Sequence, residues 1–176
     1  MNAPSHVARP ASLVAFGIAL LGASLPNVAR AQEAVDTALA RQVEGAKVSL
    51  EQGLAAAKSR GTPISGKYEI EDGKLQLSVY TAKAGHFDEV IVDHQTGKIA
   101  KAEEIKAGDD LAEAKSQHAA MAKVRRSLSE ALARVLQANK GYHAVSVTAA
   151  MASAKPVATI VLVSGASSKT ITEPLD

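Results

Sequence analysis

The sequence predicts an α+β protein made of two repeats of a helix plus a three-stranded antiparallel sheet, joined by a long helix. Three observations predict it. The segments Ser49–Ala55 and Ser127–Ala133 match at an offset of 78 residues, each starting with a helix-capping pattern. After each of them the apolar period changes from helical spacing to strict alternation. Turn residues then punctuate the alternating runs at hairpin distances.

Taken in chain order, residues 1–31 have the parts of a cleavable export signal. Arg9 is the fixed charge, and Ala11 to Ala23 are apolar or small apart from Ser12. Leu25-Pro26 ends the run, and Ala29-Arg30-Ala31 offers small residues to a peptidase that would cut between Ala31 and Gln32. A membrane-spanning helix needs roughly 20 apolar residues; this run has 13. No cysteine follows it, so no lipid is expected through one. The expected address is therefore periplasmic or secreted.

Residues 32–46 read as a helical segment with Val35, Leu39 and Val43 on one stripe. Residues 47–106 form the first unit. Its helix starts at Ser49 with Gln52 three residues on, carries Leu50 and Leu54 on one face, and stops at Arg60-Gly61-Thr62-Pro63. Ile64, Tyr68 and Ile70 then alternate with Ser65, Lys67 and Glu69, and Leu75, Leu77 and Val79 alternate with their polar neighbours. Asp72-Gly73 and Lys83-Ala84-Gly85 make the turns, and Phe87 to Val92 is the third strand.

Residues 107–126 are the linking helix, with Leu111, Ala114, His118, Met121 and Val124 in a stripe, Asp109 as its cap, and a run-on into the next helix. Residues 127–176 are the second unit. Leu128, Leu132, Val135 and Leu136 form its helical face, and Asn139-Lys140-Gly141 its stop. Its strands are Tyr142–Thr148, Pro156–Val163 and about Ser168–Thr172, with small residues at 149–154 and 164–168 as turns. Aligning the first strands of the two units takes a one-residue slip.

Composition limits the chemistry. The chain has 20 basic and 18 acidic residues, and removing 1–31 leaves 18 of each. The apparent basicity belongs to the leader and gives no reason to expect nucleic acid. Residues 32–110 carry a net −4 and residues 111–176 a net +4, a bias toward association. Without cysteine there is no disulfide, thiolate site or thiol nucleophile. Tyr68, Tyr80, Phe87 and Tyr142 are the only aromatic residues after Gln32, too few for a stacking platform.

No nucleophile elbow, phosphate-binding glycine loop or H-E-x-x-H pattern occurs, so neither a catalytic set nor a cofactor is expected. The carboxylate pairs Glu103-Glu104 and Asp109-Asp110 read as solvated charge. The best metal candidates are His86, Asp88 and His94, which share strand parity. At about 3.3 Å per residue the two histidines would lie roughly 26 Å apart along one strand. Joint ligation would need a reversal or a second chain, so surface polar roles are the favoured reading. His118 and His143 read as structural.

Residues 49–104 also resemble the PepSY domain family. The residues that carry the resemblance are the Ser49-Leu50 helix start, Tyr68-Glu69-Ile70, Asp72-Gly73-Lys74-Leu75, and above all Val90-Ile91-Val92-Asp93-His94-Gln95-Thr96-Gly97-Lys98-Ile99. In that last stretch Asp93 can cap the turn, Thr96 follows, and Gly97 can take positive φ. The second unit lacks this turn, ending instead in Thr170 to Asp176, so the resemblance implies a tandem with a degenerate second copy. It further implies a small, non-enzymatic binding or inhibitory module outside the cytoplasm, modulating a peptidase or another envelope protein, with homo-oligomers an open option. It brings no catalytic residues. The alternative is a periplasmic accessory protein that binds a small ligand or metal.

Overall fold

The structure, a computed structural model, describes residue 35 and residues 37–122 and 124–176. The expected export signal, with the expected cleavage between Ala31 and Gln32, lies outside the described residues. The elements run α1 (Thr37–Glu44), α2 (Leu50–Ala57), β1 (Thr62–Glu71), β2 (Lys74–Lys83), β3 (His86–Val92), β4 (Ile99–Glu104), α3 (Gly108–Met121), α4 (Leu128–Ala138), β5 (His143–Ala152), β6 (Lys155–Ser164) and β7 (Ser167–Pro174). Among the described residues none of these helices is long and apolar enough to cross a membrane.

The α+β class holds, but the sheet differs from the expectation. Instead of two three-stranded sheets there is one antiparallel sheet of seven strands in the order β4-β3-β2-β1-β5-β6-β7. Two things produce this. Ile99 re-enters the sheet after the Asp93 turn as a fourth strand, with Ala102 opposite Val90. The central strands then pair with each other, Gly66 opposite Val147, so neither leaves an inner edge open.

Both helix starts form as the sequence predicts. Ser49 and Ser127 each accept a hydrogen bond from the backbone N–H three residues on, while the Gln52 and Glu130 side chains accept from the cap N–H groups. Helix α2 packs closely on β2: a Cβ on Gly53 would sit 2.6 Å from the Leu77 side chain. Leu50, Leu54, Leu77, Leu128, Leu132 and Ile160 are fully buried in one cluster.

The linking helix does not run on. It stops at Met121, and Ser127 takes an extended conformation (φ −71°, ψ 159°) to cap α4 afresh, which interrupts a continuous helix. Nor is Asp109 a cap: Ala107 holds that position without a side-chain bond, and Asp109 lies in the first turn, where a carboxylate favours the helix dipole.

Two strand details also depart from the sequence reading. A bulge at Ile64 breaks the alternation, so Ile64 joins Ala82, Phe87 and Ala114 in a second cluster instead of facing Tyr68's neighbours. Strand β5 runs on to Ala152, and its small residues pair Ala149 with Ala158 instead of forming a broad turn. The reversal is confined to Ser153 and Ala154, both at positive φ (48° and 65°). Finally, Tyr68↔Leu77 and Ala149↔Ala158 stand 81 residues apart, so strands align three beyond the helices' offset of 78, not one. The difference matches the length of α4, 11 residues against 8 for α2.

Candidate functional site

The Asp93 turn forms as a self-contained bracket. Asp93 Oδ1 accepts from the N–H groups of Gln95 (2.8 Å) and Thr96 (2.9 Å), and the Gly97 N–H donates to the Asp93 carbonyl (2.8 Å). Gly97 sits at φ +74°, which favours glycine. The two backbone donors hold the Asp93 carboxyl below its ordinary pKa. The turn also reaches outward: the His94 carbonyl accepts from both Lys47 and Val48 N–H (3.1 Å each), the two residues before the Ser49 cap. Tyr68 then donates its hydroxyl to the Val48 carbonyl, and burial pushes that phenol up to about 12. Asp93, Thr96 and Gly97 thus fix where α2 starts.

The same contact recurs at the other end of the chain, where sequence reading saw only an ending. The Leu175 carbonyl accepts from Arg125 and Arg126 N–H (3.2 Å each), the two residues before the Ser127 cap. Leu175 is fully buried and its own N–H donates to Pro156 O (3.1 Å). Backbone groups make this bracket, so no residue-type signature could announce it.

His86, Asp88 and His94 are not brought together as a ligand set. His86 Nδ1 lies 2.7 Å from Glu104 Oε1, Asp88 pairs with Arg60 Nη2 at 3.2 Å, and His94 Nδ1 meets Gln95 Nε2 in the turn at 3.0 Å. Among the described residues, no three His, Cys, Asp or Glu side chains are grouped so as to hold a metal ion.

Two of them nevertheless share a surface feature. At the foot of β2 and β3, Ser59, Arg60, Thr81, Lys83, His86 and Asp88 line a shallow, open depression beside the Lys83–His86 hairpin tip. Two of its lining side chains are tethered, Arg60 by Asp88 and His86 by Glu104, whose carboxyl is lowered chiefly by that bond and then by nearby Lys106. Thr81, opposite Asp88 on the neighbouring strand, is 1 % exposed and its hydroxyl has no hydrogen-bond partner. A buried hydroxyl left unpaired costs stability, and among the described residues Thr81 Oγ1 is the one buried side-chain polar atom without a partner.

A second polar array, missed by sequence reading, lies on the sheet face opposite Leu77 and Val79. Strand registers place Glu103, Glu89, Tyr80, Ser65, Thr148, Thr159 and Thr172 in one row across all seven strands. Tyr80 donates to Glu89 Oε1 (3.1 Å), Ser65 to Gln117 Oε1 of α3 (2.9 Å), and in the adjoining row Ser78 donates to Glu69 Oε1 (3.1 Å). Burial raises the Glu89 carboxyl against the opposing pull of the Tyr80 bond, and burial together with Glu89 and Glu69 raises the Tyr80 phenol. Alternating polar residues were the available signal, but only registers assemble them into a row.

No family model matches the chain. No curated protein matches it. Among solved structures it is similar to a "putative lipoprotein" from Clostridium difficile 630, at 11 % identity and a TM-score of 0.42, over 74 % of this chain and 88 % of that one. A likeness of that size carries no argument about function.

Proposed function

We propose that the chain is an exported, non-enzymatic binding protein built from two PepSY-like copies, and that it engages a polypeptide of the cell envelope through the depression at the foot of β2 and β3. The repeat is supported by its paired capping boxes, the common strand offset, and the matching brackets from His94 O and Leu175 O. The PepSY relation rests on the residues from Tyr68 to Ile99 quoted above, and export on the leader.

The observation that carries the binding reading is the depression itself. It is open to solvent, is lined by Arg60, Lys83 and the His86 imidazole, and flanks the exposed Lys83–His86 hairpin tip. Such groups suit the carbonyl and carboxylate oxygens of a docked chain better than an enclosed small molecule. The direct test is inhibition, by the purified protein, of a peptidase recovered from the same exported fraction. Slowed turnover that Arg60→Ala and His86→Ala each relieve supports the reading. Unchanged turnover, together with a metal-induced melting shift abolished by His86→Ala, would transfer the assignment to the ligand-binding alternative.

A further inference from the structure

The two outer strands of the sheet are not equivalent. Strand β4 is six residues long, carries Lys101, Glu103 and Glu104, and pairs with β3 through an irregularity at Ile91/Val92. Charge and irregularity are how sheet edges resist unwanted pairing. Strand β7 has neither protection to the same degree. It is eight residues long, pairs with β6 in unbroken register from Ser164↔Ser167 to Val157↔Pro174, and reads Ser-Ser-Lys-Thr-Ile-Thr-Glu-Pro. Among the described residues its sheet neighbour is β6 alone.

The charges of β7 are arranged about a centre. Lys169 and Glu173 stand equally far from Ile171, on the same face of the strand, and Thr170 and Thr172 flank it on the other. In an antiparallel pairing with a second β7 centred on Ile171, Lys169 of each copy falls opposite Glu173 of the other, and Thr170 opposite Thr172. Opposite charges and paired threonines across antiparallel strands are favourable. Ile171 faces its own counterpart. Within one chain Glu173 lies 3.3 Å from Arg134 Nε and 3.9 Å from Arg126 Nη1, and Lys169 Nζ lies 3.7 Å from the Tyr142 ring centre, contacts that a Lys–Glu match across the axis would extend. Sliding the register by two residues loses both Lys–Glu matches.

We infer that β7 is a self-complementary edge that pairs with β7 of a second copy of this chain, about a two-fold axis through Ile171. The result is a closed dimer with one sheet continuous across both copies, because a two-fold interface uses the edge up on each side. The interface is independent of the depression at the foot of β2 and β3.

The absence of cysteine makes the test direct. Residues opposite each other in an antiparallel pair have Cα atoms roughly 4.5–5.5 Å apart, inside the range a disulfide spans. Ile171→Cys should therefore oxidise readily to a covalent dimer, and Ser167→Cys, far from the axis, should not. Sedimentation equilibrium on the unsubstituted protein, purified from cells producing the full chain, should give a mass that rises toward twice the chain mass with concentration. Lys169→Glu, which sets two like-charge pairs across the axis, should weaken that association about tenfold while leaving the circular dichroism of the folded chain unchanged. A chain mass constant up to millimolar concentration would overturn the inference. So would cross-linking of Ser167→Cys as fast as Ile171→Cys, or association indifferent to Lys169→Glu.

Discussion

At the scale of single residues, Asp93 and Glu89 show how one side-chain type takes opposite roles. Asp93 is held as the anion by two backbone donors, so its folded pKa lies below the unfolded one. Its contribution is present above the unfolded carboxylate pKa of about 4 and is lost as pH falls through the folded value. Asp93→Asn should lower the denaturation midpoint at pH 7, and the gap to the unsubstituted protein should close in strong acid; a pH series of urea melts checks both limbs. Glu89 has the reverse sign. Burial raises its folded pKa, so ionisation costs stability as pH rises from about 4 through the folded value. Glu89→Gln keeps an acceptor for the Tyr80 hydroxyl and should raise the neutral-pH midpoint, with the gain fading below about pH 4.

At the scale of elements, the helix starts are the most sequence-determined parts of the molecule. Ser49 and Ser127 satisfy otherwise unpaired backbone donors by local contacts alone. Either serine replaced by alanine should cost about 1 kcal/mol, measured by equilibrium unfolding. The caps are further constrained from a distance, since His94 O and Leu175 O bind the two residues ahead of each. In the first copy Asp93, Thr96 and Gly97 mark by residue type the turn that carries His94, but its contact with Lys47 and Val48 is between backbone groups far apart in the chain and was not legible. In the second copy it is a backbone contact of Leu175, and the sequence there reads merely as an ending. The hairpin tip at Ser153–Ala154 was illegible for a related reason: alanine and serine are read as loop formers over 149–154, yet pairing with β6 holds most of that stretch extended.

At the scale of the whole molecule, the pairing of β1 with β5 joins the halves into one sheet, and α2 and α4 bury their leucines in one cluster. The described fold should therefore unfold in a single cooperative transition. Leu54→Ala and Leu132→Ala, both fully buried, should each lower that same transition by about 2–5 kcal/mol. Two separated transitions, each sensitive to one substitution only, would instead mean that the halves are independent. Calorimetry on both variants distinguishes the outcomes.

By itself the sequence determined the α+β class, the capped starts of α2 and α4, the Asp72-Gly73 and Ala84-Gly85 hairpins, and the Asp93 bracket. These depend on interactions a few residues long, and residue type is enough to announce them. Tertiary structure alone decided the seven-stranded sheet, the bulge that turns Ile64 to the other face, the polar row from Glu103 to Thr172, and the separation of His86, Asp88 and His94 into different partnerships. Each of those depends on register between strands far apart in the chain, and a slip of one residue would turn every side chain to the opposite face. Periodicity shows that a strand has two faces; only pairing shows what each face meets.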